Sequence, residues 1–195
     1  MALPTTKRLT FEQFQEMNPD GRYELVDGEL EELVPPRPFH SWTGGRLPLE
    51  LGRYLDDHEP DAFWGVELDI PTIPFFGRRP DFAYYSTVDA ARIDLIANRV
   101  LGVPTLVVEV VSEDDEERDT VTKREECARA GIRHYWIVDP QRRTVLTLVL
   151  REIAYEVAGE FTGTDVLTSE LFPGLAVPLA RLFRSELVSL PCHPL

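Results

Sequence analysis

Apolar and polar positions recur with regular spacing along most of the chain, and their pattern predicts a mixture of helices and strands. The β-branched run at 105–111 is typical of a central, fully buried strand. Leu47, Leu51 and Leu55 recur at helical spacing and predict a helix over 40–57, in which Pro48 indicates a start or a kink. Strands in the middle with helices before and after them indicate an α/β or α+β fold, a mixed β-sheet flanked by helices.

Two local signals organise the first part of the chain. Thr10 followed by Gln13 forms a capping box, which predicts a short helix through Met17. Asp27-Gly28 separates two extended runs, and this dipeptide is the strong signal for a two-residue β-hairpin. We therefore expect an added N-terminal hairpin of 22–26 and 29–34.

The remaining segments predict further strands, one helix and a second hairpin. Strands are expected at 63–73, 78–85 and 135–138. The segment 88–100 is expected to be a loop with a helical turn. An acidic loop at 112–119 leads into a helix over 118–130, which Gly131 ends at the C′ position.

The last third of the chain predicts a C-terminal β-hairpin formed by 144–150 and 153–157, after which 172–183 packs onto the fold. Repeats and linkers are not evident in the sequence. We therefore expect a single domain over 1–184 and a weakly ordered tail over 185–195.

Composition indicates where the protein is located, and the net charge bears on whether it binds nucleic acid. The chain has 195 residues, no apolar run near the roughly 20 residues that cross a bilayer, and no signal peptide at its start. Cys127 and Cys192 lack metal-ligand spacing, so we expect a reducing compartment and a soluble, cytoplasmic protein without membrane contact. The formal net charge of −14 opposes binding to a polyanion unless basic residues cluster locally.

Glu109 stands out because it interrupts an apolar strand pattern. Side chains alternate across a strand, so Glu109 shares one face with Val107 and Val111. A buried carboxylate has to be paired, protonated or bound to a metal ion, because an isolated buried charge is very costly. The alternative is a strand end at which Glu109 reaches solvent or a nearby arginine.

Asp81 and Lys123 complete a candidate site with Glu109. Asp81 follows a proline at the start of a predicted strand, and by itself it also fits a turn. Lys123 lies in a predicted helix, where the alternative is a solvated lysine paired with Asp119. Together, two carboxylates on adjacent strands and one lysine are the minimum set for metal-assisted phosphodiester cleavage, with oxygen ligands that suit Mg²⁺ or Mn²⁺.

At these residues the chain resembles the Uma-two family of restriction-endonuclease-like proteins, within the PD-(D/E)XK nuclease superfamily. The resemblance spans about residues 8–184 and is carried by an ordered set of short pieces. These are YELVDGEL at 23–30, Pro36 with His40, RPD at 79–81, LVVEVVS at 106–112, Asp119 with Lys123, GIRHYWIVDP at 131–140, and FPGL at 172–175.

The resemblance implies a restriction-endonuclease-like sheet and a set of site residues. Asp81 and Glu109 would be metal ligands, and the backbone carbonyl of Val110 a further one. The superfamily lysine, which normally lies two residues after the acid, is moved in this family to the following helix, which points to Lys123. Glu24 would be an additional acidic group near the site; its alternative is a strand glutamate facing solvent or pairing with Arg22.

The leading hypothesis is a homodimeric deoxyribonuclease that uses Mg²⁺ or Mn²⁺ and cleaves double- or single-stranded DNA. A catalytically inactive nuclease-fold module for binding or assembly stays open, as does a hydrolase of a small phosphoester, which explains the acidity better than DNA does. DNA binding would require several basic residues to converge on a local rim: Arg78, Arg79, Lys123, Arg124, Arg129 and Arg133.

Overall fold

A six-stranded mixed sheet forms the centre of the computed structural model, which describes residues 8–112 and 118–183. The α-helices of these residues are α1 (Phe11–Met17), α2 (Pro38–His58), α3 (Lys123–Ala130) and α4 (Leu179–Leu182). Their strands are β1 (Tyr23–Val26), β2 (Glu29–Glu32), β3 (Phe63–Gly65), β4 (Ile70–Pro71), β5 (Gly77–Arg78), β6 (Phe82–Tyr85), β7 (Ile93–Asp94), β8 (Arg99–Val100), β9 (Leu106–Val110), β10 (His134–Asp139), β11 (Thr144–Arg151), β12 (Ala154–Thr162), β13 (Val166–Leu167) and β14 (Val177–Pro178).

The central sheet has the strand order β12-β11-β10-β9-β6-β3. Strands β9 and β10 are parallel, and the other neighbours are antiparallel. Strand β9 therefore lies inside the sheet, between β6 and β10, and all five of its residues are buried. The predicted mixed sheet and the predicted central strand are both confirmed.

The alternation of β9 divides the core between the two faces of the sheet. Leu106, Val108 and Val110 belong to one apolar cluster, which includes the buried leucines of α2 and α4. Val107 and Val111 belong to the other, with residues of α1 and α3. Because each face is covered, a polar side chain on β9 has to find its partners within the protein.

The N-terminal signals are confirmed. The Thr10 hydroxyl accepts a hydrogen bond from the backbone of Gln13, as the capping box predicts. The hairpin of β1 and β2 turns at Asp27 and Gly28, whose φ angles of 51° and 81° lie in the left-handed region that this dipeptide tolerates. The hairpin extends into a second sheet of order β2-β1-β5-β4.

Two predicted strands are each divided between two sheets, so both predictions of a single strand are wrong. The expected strand at 63–73 becomes β3 and β4, and the backbone between them bends at Glu67, which has a φ of 48°. The expected strand at 78–85 becomes β5 and β6, because Pro80 between them has no backbone N–H to donate to a ladder. Asp81 consequently lies in the connection directly before β6.

Three other boundaries differ from prediction. Helix α2 begins at Pro38 and continues through Pro48, so a start at Pro48 is wrong. Helix α3 begins only at Lys123, after a wider π-type turn over Arg118–Thr122, and ends at Gly131 with a φ of 80°, as expected. The segment 88–100 contains the expected helical turn at Ala90–Arg92, but it also forms the short hairpin of β7 and β8.

The C-terminal hairpin is confirmed as antiparallel β11 and β12, which extend the central sheet at one edge. The segment 172–183 packs as expected, with Phe172, Leu175, Leu179 and Leu182 buried. Most of the acidic loop, at 113–117, and the tail at 185–195 lie outside the described residues, so the proposed domain limits stay predictions. No helix in the described part of the chain is long and apolar enough to cross a bilayer.

Candidate active site

Glu109 is the charged residue of the central strand. Glu109 is 3% exposed and lies on the face of β9 that carries Val107 and Val111. One carboxylate oxygen is 3.3 Å from the ammonium nitrogen of Lys123. Glu109 is thus a buried carboxylate with a cationic partner, and the alternative of a solvent-exposed strand end is wrong.

Asp81 is held against the end of the same strand. Its Oδ2 accepts a hydrogen bond of 2.7 Å from the backbone N–H of Val110. Its Oδ1 is 3.4 Å from Nε2 of His40, in the first turn of α2. The bond to Val110 places the Asp81 carboxyl beside the residue that follows Glu109, although the two acids are distant in the sequence.

Lys123, the first residue of α3, is buried. Its Nζ lies 3.2 Å from Oε1 of Glu24 and 3.3 Å from Oε1 of Glu109. The surface-exposed lysine considered as an alternative is therefore wrong, and the side chain of Asp119 lies outside the described residues. Lys123 links the acid of β1 to the acid of β9.

Glu24 is fully buried and has contacts at both carboxylate oxygens. Oε1 accepts from the backbone N–H of Arg79 at 3.2 Å and lies beside Lys123, while Oε2 accepts from Nη1 of Arg78 at 2.9 Å. A buried charge of this kind is tolerated only with good partners. The alternatives for Glu24, a solvent-facing side chain or a pair with Arg22, are wrong; Arg22 pairs with Glu67 instead.

Arg78 connects Glu24 to helix α3, so that Lys123, Glu24, Arg78 and Glu126 form one buried ionic network. Its guanidinium donates to Glu24 and to both oxygens of Glu126, with Nη2 only 2.6 Å from Oε2. Thr72 also donates to Glu126. Burial alone would lower the pKa of the Arg78 guanidinium, but the hydrogen bonds and charges of Glu126 and Glu24 raise it further than burial lowers it. Arg78 is therefore a permanent cation at the base of the site.

A cleft of about 110 Å³, named the acidic cleft after Glu24, Asp81 and Glu109, opens above these groups. Arg22, Arg37 and Arg79 also line it, so its walls carry both signs of charge. All the residues predicted for the site line it: Glu24, Asp81, Glu109, Val110 and Lys123. Thus the fold gathers side chains from β1, β9, α3 and the connection before β6 around one opening. The segment at 33–37, His40 and Ser112 form other parts of its wall.

The donor set of the acidic cleft fits a hard divalent cation. Asp81 and Glu109 offer two carboxylates, and Mg²⁺ is commonly held by one or two carboxylates while water and substrate phosphates complete its shell. Within the described ranges, no group of three or more His, Cys, Asp or Glu side chains is arranged to hold a metal ion, so a closed cage of protein ligands is not formed there. Glu24 fits the role of an ion-pair partner better than that of a ligand.

Four residues of the expected basic rim, Arg78, Arg79, Lys123 and Arg133, are engaged in intramolecular ion pairs. Arg78 is buried in the network, Arg79 forms a bidentate pair with Asp69 at 2.7 and 2.8 Å, and Arg133 pairs with Asp89 at 2.6 Å. Arg79 also lines the acidic cleft. Much of the positive charge near the site is therefore balanced within the chain, which leaves a weaker field for a long polyanion.

Sequence reasoning missed the structural part of the site. Glu126 carried a usable signal, since Lys123, Glu126 and Cys127 follow the i, i+3, i+4 spacing of one helix face and all three are buried. His40 was noted only as part of the family pattern. Nothing in the local sequence of Arg78 indicated that its guanidinium would join Glu24 and Glu126.

Comparison with known proteins agrees with the family and the fold expected from the sequence. The Uma2 family model, described as "Putative restriction endonuclease", matches residues 10–180. The chain is similar in fold to the crystal structure of a "putative nuclease belonging to DUF820" from Anabaena variabilis ATCC 29413, with a TM-score of 0.70 and 19% identity, covering 90% of this chain and 97% of that one. None of the curated proteins matches the chain. Because the family model covers well over half of the sequence, this protein belongs to the Uma2 family of putative restriction endonucleases.

Proposed function

We propose that the protein is a divalent-metal-dependent endonuclease that hydrolyses phosphodiester bonds of DNA. Family and fold support a nuclease. The observation that carries the finer proposal is the meeting of Asp81, Glu109 and Lys123 in one cleft, from three different elements. In this proposal Asp81, Glu109 and the carbonyl of Val110 hold Mg²⁺ or Mn²⁺, and Lys123 assists attack by water.

Each residue has a distinct task in the proposed reaction. A bound divalent ion would polarise the phosphate and lower the pKa of a water ligand. The Val110 N–H fixes the orientation of the Asp81 carboxylate through its 2.7 Å hydrogen bond. The Lys123 ammonium, fixed between Glu24 and Glu109, orients the attacking water or offsets negative charge that develops on the phosphate oxygens.

Glu24 acts in this proposal as a positioning residue for Lys123. Glu24→Gln keeps the shape of the side chain but removes one of the two carboxylate charges beside the Lys123 ammonium group. Loss of a residue that orients a metal ligand typically costs about 10- to 100-fold, and by analogy we expect single-turnover cleavage to slow by about that factor. Mn²⁺ affinity, measured by calorimetry, should be unchanged, because Glu24 is not a proposed ligand.

Glu31→Gln is the matched control for this variant, since Glu31 lies opposite Glu24 in the hairpin and is exposed. It should cleave at the wild-type rate. A Glu24→Gln protein that loses Mn²⁺ binding would contradict the positioning role and make Glu24 a ligand.

Removal of the metal ion gives the first test of the function itself. Protein treated with EDTA and dialysed should not cleave linear duplex or single-stranded DNA, and activity should return on titration with MgCl₂ or MnCl₂. The same titration without DNA should yield a calorimetric binding isotherm. Cleavage that persists in excess chelator, or its absence at every metal concentration, would refute the proposal.

Hydrolysis of a small phosphoester is a second candidate, favoured by the net charge of −14 and by the pairing of Arg78, Arg79 and Arg133. Bis(p-nitrophenyl) phosphate in the metal titration tests it directly. Turnover of this ester without DNA cleavage would favour the second candidate, and DNA binding without turnover of either substrate would favour the inactive module. The homodimer and the cytoplasmic location stay predictions.

A further inference from the structure

A second cavity, of about 210 Å³, lies next to the acidic cleft. Arg37, His40 and Ser112 line both spaces, so the two form adjoining parts of one surface. The other walls of this side pocket are Pro38, Phe39, Val111, Pro140 and Gln141. One ligand can therefore reach from the cleft into the side pocket.

The side pocket is assembled at the carboxyl ends of the two parallel strands. Val111 and Ser112 follow β9, and Pro140 and Gln141 follow β10. Helix α2 contributes its first turn, with Pro38 and Phe39. Because the amino end of a helix carries partial positive charge, this wall favours an anionic group such as phosphate in the neighbouring cleft.

The side pocket offers a phenyl ring, which the lining of the acidic cleft lacks. Phe39, a residue that is 43% exposed, offers a flat phenyl ring, and Pro38 and Pro140 add further apolar surface. Gln141 adds an amide, a group whose donor and acceptor pair with base edges, and Arg37 adds a cation at the junction. An aromatic face with a nearby cation is typical of sites on which a nucleobase stacks, and an amide beside it can bond the edge of that base.

We propose that this side pocket binds one unpaired nucleobase of the strand whose phosphate lies in the acidic cleft. The inference rests on the proposed nuclease function and specifies its substrate. A base in a continuous duplex is paired and stacked, and placing it in the pocket would require unstacking. The enzyme therefore prefers single strands, or duplexes with unpaired nucleotides, over intact duplex DNA.

Phe39→Ala removes the stacking surface without altering the acidic groups. Base–aromatic stacking contributes enough binding energy that the KM for a single-stranded oligonucleotide should rise about 5- to 150-fold. The kcat should change little, and Phe39→Trp should restore the KM. The matched control is Phe75→Ala, since Phe75 is similarly exposed at 36% and does not line either cavity.

A base-free nucleotide provides the decisive substrate. In a single strand with one cleavable linkage, the flanking nucleotide on either side is replaced by a tetrahydrofuran abasic residue. One of the two replacements should raise the KM of the wild type as much as Phe39→Ala does, and Phe39→Ala should add no further loss on that strand. Additive effects of the two changes, or an unchanged KM, would overturn the proposal.

Binding without cleavage separates this inference from the function on which it rests. Fluorescence anisotropy with a labelled single strand is measured on Asp81→Asn and on Asp81→Asn/Phe39→Ala. If binding depends on Phe39 and on the base while the wild type never cleaves DNA, the pocket is supported and the nuclease is refuted. Cleavage that depends on Asp81 but not on Phe39 supports the nuclease and refutes the pocket. If Phe39→Ala instead changes the elution volume and base removal has no effect, a second copy of the chain covers the pocket and the proposal is wrong.

Discussion

Asp81→Asn should abolish metal-dependent DNA cleavage while leaving the fold intact. The asparagine carbonyl can still accept the hydrogen bond from the Val110 N–H, so the local structure is retained while the charge is lost. Because groups that merely support metal ligands contribute about 10- to 100-fold, loss of a ligand itself should lower the cleavage rate by about 10³-fold or more. Glu109→Gln should have the same effect, since Glu109 is the second proposed ligand.

Two measurements check this result, namely cleavage of a labelled oligonucleotide and Mn²⁺ binding by calorimetry. Both signals should disappear together in Asp81→Asn and in Glu109→Gln. Asp69→Asn is the control, because Asp69 is an acid close to the site that pairs with Arg79 and does not line the acidic cleft. If Asp81→Asn cleaves like the wild type, the activity arises elsewhere or from a contaminant.

The parts of the site that follow from local pattern could be predicted. A carboxylate inside an apolar strand run has a determined face, so the position of Glu109 beside Val107 and Val111 followed from alternation alone. Asp27-Gly28 favours a tight two-residue turn, so the hairpin that carries Glu24 could be predicted from this dipeptide. These features depend on neighbours within a few residues, for which sequence spacing is sufficient information.

The ionic network could not be predicted, because its partners are distant in the sequence. Arg78 and Glu24 are 54 residues apart, and Arg78 and Glu126 are 48 apart. Their meeting depends on how β1, β5 and α3 pack together, and no local propensity encodes that packing. The same cause explains the divided strand at 78–85: Pro80 could be seen in the sequence, but the assignment of β5 and β6 to different sheets depends on tertiary structure.

Arg78→Met should cause the largest loss of stability of any single substitution in the network. Methionine has similar length and fills much of the same space, but it leaves Glu126 and Glu24 without their shared cation in a buried position. Breaking a buried ion pair by removing one partner typically costs about 3–5 kcal/mol. Urea denaturation followed by circular dichroism should show this loss in the free energy of unfolding.

Arg79→Met is the informative comparison, because this neighbouring arginine also forms a bidentate pair with an acid, but its partner Asp69 is more exposed, at 28% of its side chain. Partly solvated ion pairs contribute about 1 kcal/mol or less, so the loss should be correspondingly small. Equal losses in the two variants would mean that burial does not set the strength of the network.

The double variant Arg78→Met/Glu126→Leu tests whether the penalty comes from the uncompensated charge. Since it removes the cation and one of its two acids together, and Glu24 keeps Lys123 as a partner, it should be more stable than Arg78→Met alone. Cleavage should be slow in both variants, because Glu24 then lacks the guanidinium that fixes its Oε2 and holds Lys123 less firmly. If stability recovers but the cleavage rate does not, Arg78 has two separable tasks, which are to neutralise buried charge and to align Lys123. If stability and rate both recover, Arg78 only neutralises buried charge.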